Sequence, residues 1–175
     1  VPLSPGANVI TYAAQDALGN AASMLRTVTR MIDTTAPVVS NVASTPPSGV
    51  AGTDFVISAL VVDGESGVAS ATVTIRSTAG QVLAQLSMTA GVGGLYTAAY
   101  GSAGQAPAVY SLDITAVDAS PQANSRTVLG AATFEVEPPP SLQVSPMSSD
   151  FGLVLTGSSA YRPFIVTNTG GGTLA

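Results

Sequence analysis

Seven short runs between residues 36 and 137 are rich in apolar and β-branched side chains, and Gly, Pro, Asn or Asp bounds each of them. They are APVVSNV (36–42), DFVISALVV (54–62), SATVTIR (70–76), QVLAQLSM (81–88), LYTAAY (95–100), VYSLDITAV (109–117) and TVLGAATFEV (127–136). Thr, Val, Ser and Gly dominate, Pro occurs 12 times, and helix signals are nearly absent. That vocabulary suits strands and turns. In 70–76 the alternation puts Ala71, Val73 and Ile75 on one face and Thr72, Thr74 and Arg76 on the other. In 109–117 it turns Leu112, Ile114 and Ala116 inward. Residues 54–62 end apolar on both faces, as a central strand does. Seven strands in about 100 residues is the count of an immunoglobulin-like sandwich, so the expected class is all-β.

The chain also repeats itself. TYAAQDALGNAAS (11–23) returns in weaker form as DITAVDASPQANS (113–125). Asp16 and Asp118 stand 102 residues apart, and at that offset Ile10 meets Leu112, Tyr12 meets Ile114 and Ala14 meets Ala116. Carried further, the same offset aligns Ile32 with Phe134, Asp33 with Glu135 and Pro37 with Pro139. One sandwich per repeat follows. The expected units are residues 1–35, the last two strands of a sandwich; 36–137, a complete sandwich; and 141–175, the first strands of another type. DTTAP (33–37) and EVEPPPS (135–141) link them, with Pro ending the strand pairing and stiffening the joint. The turn must differ between the copies, because Ser120-Pro121-Gln122 stands where Leu18-Gly19-Asn20 stood.

The stretch NVITYAAQDALGNAAS followed by DTTAP resembles the closing hairpin and linker of bacterial immunoglobulin-like repeats in large surface proteins and adhesins. LVVDGESGVASATVTI (60–75) resembles the second and third strands of that family. The resemblance covers residues 1–137 and implies tandem sandwiches. Residues 142–174 resemble the start of a choice-of-anchor, or hydin-like, sandwich, through Val144, Pro146, Asp150-Phe151-Gly152, Gly157, Phe164, Val166, Asn168, Gly170 and Leu174. That family is also immunoglobulin-like, and about three of its strands are expected here. The chain reads as an internal piece of something longer, since it opens at Val1 with neither an initiator Met nor a signal-peptide pattern.

Composition removes several function classes. Charged residues are 9%, against about 25% in typical domains, and the net charge is -5. Five Arg and no Lys build no basic face for nucleic acid or anionic lipid. No apolar stretch approaches the roughly 20 residues of a membrane-spanning helix. Cys and His are absent, which excludes a disulfide framework. Without His, Cys or Lys, the Ser-His-Asp, Cys-His and Ser-Lys arrangements cannot be assembled. A glycosidase pair needs two carboxylates about 5–9.5 Å apart in a sugar-lined cleft, and no Trp is present to form a sugar platform. The expectation is a protein that is not an enzyme.

The candidate binding cluster is Asp63, Glu65 and Asp118. The first two follow the second strand and the third follows the sixth, and those loops share one end of an immunoglobulin sandwich. Three carboxylates there can hold Ca²⁺, with carbonyls and water completing six to eight oxygens. The alternative is that Asp63-Gly64 and Asp118-Ala119-Ser120 are turns bonding their own backbone. Asp16 holds the equivalent place in the first unit, without its partner loop. GVGG (91–94) reads as a hairpin turn, because a phosphate loop requires a Lys and a following helix; TGGGT (169–173) reads as a turn too. Tyr110 fits either a tyrosine corner or core packing. Tyr96, Tyr100 and Tyr161 read either as exposed ligand contacts or as packing.

These readings converge on a non-enzymatic spacer, adhesin stalk or assembly subunit of an extracellular or cell-surface protein. Its partners would be neighbouring immunoglobulin-like domains or copies of itself, joined by strand addition at open edges. The alternatives are a carbohydrate- or Ca²⁺-dependent binding module for a glycan or surface ligand, and an accessory domain of a secreted hydrolase.

Overall fold

A computed structural model of the chain describes residues 2–174 and is built from strands, with one short 3-10 turn among them. The first hairpin is β1 (Gly6–Gln15) and β2 (Ala21–Arg30). The central region contains β3 (Val38–Thr45), β4 (Ser48–Val50), β5 (Asp54–Val62), β6 (Val68–Arg76), β7 (Val82–Ser87), β8 (Thr89–Ala90), β9 (Leu95–Gly101), β10 (Ala108–Asp118) and β11 (Ser125–Glu137). The last pair is β12 (Leu142–Ser145) and β13 (Ile165–Asn168). The 3-10 turn, Val92–Gly94, sits in the expected GVGG connection between β8 and β9.

The central strands form two sheets, one ordered β4-β11-β10-β6-β7 and the other β3-β5-β9-β8. This is the strand order of an immunoglobulin sandwich with its first strand split between sheets. The alternation read in the sequence is what drives the two sheets together. Phe55, Ile57, Ala59 and Val61 of β5 face Ala71, Val73 and Ile75 of β6 and Leu112, Ile114 and Ala116 of β10, and all ten are buried. Each large member contributes about 1.5–3 kcal/mol relative to leaving it in water. Phe134 is the hub, with ring centroids 4.4 Å from Phe55, 5.3 Å from Tyr110 and 5.7 Å from Tyr100.

The Tyr110 hydroxyl donates to the Ala106 carbonyl at 2.7 Å, the bond of a tyrosine corner, while its ring stacks on Phe134. Both readings of that residue therefore apply at once. For Tyr96 and Tyr100 the packing reading holds and the ligand-contact reading fails. They lie on the inward face of β9 and are buried in the core, so neither offers a ring to a ligand. Tyr161 is exposed.

The two hairpins start alike and drift apart. In the first strand the offset of 102 holds: Ile10 pairs with Arg26 and Tyr12 with Met24, where Leu112 pairs with Ala132 and Ile114 with Val128. Along the second strand it does not hold. Asn8 pairs with Val28 while Tyr110 pairs with Phe134, so Phe134 corresponds to Val28, not to Ile32. The alignments of Asp33 with Glu135 and Pro37 with Pro139 fail with it. Two causes add. The Asp118 to Asn124 turn is two residues longer than Asp16 to Asn20. A bulge in β11 between the partners of Leu112 and Ile114 inserts two more residues.

That bulge is pinned by a charge that the alternation places outward. Asp113 is 4% exposed. Its Oδ1 accepts the Gly130 amide at 2.8 Å and its Oδ2 accepts Arg76 Nε at 2.5 Å. Gly130 has φ +57 with open space where a Cβ would stand, the left-handed backbone that glycine adopts without strain. Burial pushes the Asp113 carboxyl up, but the Arg76 and Gly130 hydrogen bonds outweigh it and hold it below the ordinary value.

Candidate functional site

The site lies where β5 and β10 end. Residues 63–67 leave β5 in a tight turn because the Asp63 side chain supplies what the backbone lacks. Its Oδ1 accepts the amides of Glu65, Ser66 and Gly67 at 3.1, 2.9 and 3.0 Å. Asp118 does the same for the β10–β11 turn. Its Oδ1 accepts the Ser120 amide, the Ser120 hydroxyl and the Asn124 amide at 3.1, 2.9 and 3.0 Å, and its Oδ2 accepts Asn124 Nδ2 at 2.7 Å. Asp118 is 1% exposed. The turn reading is therefore correct for both residues. It leaves room for the cation reading as well, because these bonds crowd onto the two Oδ1 atoms, while Asp63 Oδ2 takes none of them and Asp118 Oδ2 takes one.

Asp63 and Asp118 come together as expected. The third member of the cluster is Asp33, whose carboxylate oxygen lies within 4.8 Å of one from each of the other two. Glu65, the expected third ligand, stands beside it on the Thr35 side. The Thr35 hydroxyl lies 3.0 Å from Asp33 Oδ1 and 3.3 Å from Glu65 Oε2, so its single proton serves one of them at a time. Asp33 belongs to the connection between β2 and β3. Its carbonyl accepts Asn124 Nδ2 at 3.1 Å, which ties the connection to the β10–β11 turn.

The electrostatics single out one atom. Asp33 Oδ1 accepts the Thr35 amide at 2.9 Å. Asp33 Oδ2 is buried and has no hydrogen-bond partner. The Ser66 hydroxyl is near enough to be the main cause holding the Asp33 carboxyl down to about 2, with the Thr35 amide next. The same hydroxyl lies 3.5 Å from the Gly67 carbonyl, so its one proton serves either that carbonyl or the Asp33 carboxylate. Glu65 is shifted the other way, raised by its hydrogen bond to Asp33 and then by the Asp33 charge. The lowered value keeps the Asp33 carboxylate ionised at neutral pH, so the cluster offers anionic oxygens to a cation.

The residues fit such an ion. Calcium–oxygen distances of 2.3–2.6 Å allow two ligand oxygens on one ion to lie up to about 5 Å apart, and the cluster satisfies this. Beside it opens a cleft of about 420 Å³ lined by Arg30, Met31, Ile32, Asp33, Ser66 and Pro121, among others. The cleft gives the ion a route to water for the rest of its shell. No helix among the described residues is long and apolar enough to cross a membrane. No known family's sequence profile matches the chain, and no curated protein matches it.

Sequence reasoning missed Asp33 and Asn124. The signal for Asn124 was present in the first copy, where Asn20 completes the same clamp on Asp16: the Asn20 amide reaches Oδ1 at 2.9 Å and Nδ2 reaches Oδ2 at 2.7 Å. Asp33 lies 30 residues before Asp63 in the linker, and only the path of that linker across the end of the sandwich brings it in.

Proposed function

We propose that the chain is a non-enzymatic spacer segment of an extracellular or surface protein, and that a divalent cation, Ca²⁺ by its all-oxygen donor set, clamps its first joint. The carrying observation is that Asp33 belongs to the connection while Asp63 and Asp118 belong to the sandwich, with a buried, unpaired Asp33 oxygen among them. A cation bound there would tie the connection to the sandwich at one point. The β1–β2 hairpin would then leave at a fixed angle, as a stalk requires. Neighbouring modules or copies of the chain would cover the apolar face of that hairpin.

Asp63 and Asp118 are already ordered by their turns, so the site needs little rearrangement to accept the ion, and preorganisation favours affinity. The absence of His, Cys, Lys and Trp supports the non-enzymatic reading. Burial of Tyr96 and Tyr100 takes two aromatic rings away from the glycan-binding alternative. Calorimetric titration of Ca²⁺ into EDTA-stripped full chain tests the proposal. One site is expected, abolished by Asp33→Asn and retained by Asp16→Asn. Absence of binding heat up to millimolar Ca²⁺, or undiminished binding in Asp33→Asn, contradicts it.

A further inference from the structure

The other joint is built from different chemistry. β11 ends at Glu137, and Pro138-Pro139-Pro140 follows. Proline fixes φ and has no amide proton, so this linker is stiff and can offer only carbonyls. The segment Thr169–Gly172, just after β13, is folded against it. The Gly171 amide donates to the Pro138 carbonyl at 3.0 Å, and the Thr169 amide donates to the Ser141 carbonyl at 2.9 Å. Asn168 braces both sides: its Oδ1 accepts the Ser141 and Gly170 amides, each at 3.0 Å, and its Nδ2 donates to the Gly172 carbonyl at 2.9 Å.

The approach is too close for any side chain. A Cβ on Gly170 would stand 2.0 Å from the Pro139 carbonyl oxygen, and one on Gly171 would stand 2.6 Å from both Glu137 Cβ and the Pro138 oxygen. Gly172 has φ +63, and a Cβ there would be 2.9 Å from Val50 Cγ1. Val50 is on β4, so the glycines press on the sandwich itself. Glu137 bridges the two bodies. Its Oε1 accepts the Ser48 hydroxyl of β4 at 2.6 Å and its Oε2 accepts the Gly172 amide at 3.1 Å.

We propose that Gly170–Gly172 and Glu137 form a cation-independent latch that fixes the β12–β13 unit to the sandwich. This goes beyond the clamp at the first joint and does not depend on it, because the latch contains one carboxylate whose two oxygens are both hydrogen-bonded. The three consecutive glycines are then required by fit, not only by the turn. Charge supports the arrangement: the Ser48 hydroxyl first, then the Gly172 amide, lower the Glu137 carboxyl, so the bridging form is ionised at neutral pH.

The chain has no Cys, so two can be introduced cleanly. Val82→Cys on β7 and Tyr161→Cys in the last unit, both exposed, carry spin labels for a distance measurement on the full chain. The latch predicts a single narrow distance distribution that EDTA and Ca²⁺ leave unchanged. Gly171→Ala and, separately, Glu137→Ala abolish the narrow peak, with the melting of the sandwich core retained. Glu137→Ala keeps the glycine fit, so it decides the matter if Gly171→Ala disturbs the strand pair itself. A distribution that is broad in the unsubstituted chain, that stays narrow in both variants, or that moves with EDTA overturns the latch, and none of these outcomes touches the calcium titration at the first joint.

Discussion

The hairpins β1–β2 and β10–β11 are the same local structure in opposite surroundings. Each turn closes on an Asp whose Oδ1 takes backbone amides and whose Oδ2 takes the Nδ2 of an Asn. Yet Leu112, Ile114 and Phe134 are buried under β3-β5-β9, whereas in the corresponding places Tyr12 and Val28 are exposed and Ile10 is half-buried. The turn chemistry is therefore intrinsic to the sequence of the hairpin, while burial belongs to whatever sheet lies across it. The covered copy has also gained what the bare one lacks: a buried charge at Asp113 where the first copy has Thr11, a bulge to hold it, and two acidic neighbours around its turn.

The largest difference should appear on truncating the corresponding large side chains. Phe134→Ala should cost about 3–5 kcal/mol in urea unfolding of the sandwich. Val28→Ala, at an exposed site, should change it by less than about 0.5 kcal/mol. Equal effects would mean that the first hairpin is covered as fully as the second. Next comes the turn clamp. Asp118→Ala, measured in EDTA, strips a buried carboxylate of four hydrogen bonds and should cost about 3 kcal/mol. Asp16→Ala should leave the unfolding midpoint of the sandwich where it is.

Asp113 gives a smaller effect with a direction in pH. Its folded value lies below the ordinary 3.8, so its contribution is complete above that value and fades as the pH falls through it. Unfolding midpoints should drop from neutral pH toward pH 2, and Asp113→Asn should flatten that slope. Because Arg76 is partly exposed and can rehydrate, the loss at neutral pH should be about 1–2 kcal/mol, below that of a sealed ion pair. A slope unchanged in Asp113→Asn would assign the acid sensitivity elsewhere. Smallest is Gly130→Ala, where open space limits the penalty to the left-handed backbone, about 1 kcal/mol.

The comparison also explains what could be read in advance. The inward faces of β5, β6 and β10 were legible because strict alternation leaves no other way to bury Phe55, Val73 or Leu112. Asp63 and Asp118 were legible because turn residues after the second and sixth strands meet at one end of such a sandwich. Asp33 was not legible, since its place depends on a linker folding back across that end. The bulge was hidden for a related reason. Nothing in the alternation of TVLGAATFEV marks Gly130 as left-handed, and only the partner Asp113 explains it. Tyr96 and Tyr100 lie on one strand face, but which face is settled by the opposite sheet. In each case the missing information is a contact between segments far apart in the chain.

If the acidic cluster at the first joint is a cation clamp spanning the connection and the sandwich, Ca²⁺ stabilises the folded chain. Thermal melts of the full chain in EDTA and in excess Ca²⁺ test it most directly. At about a hundred times its Kd the ion should add about 2.7 kcal/mol, a rise in Tm on the order of 10 °C for a sandwich of this size. Asp33→Asn should erase the rise. Superimposable melts of the unsubstituted chain in EDTA and in Ca²⁺ would contradict the account.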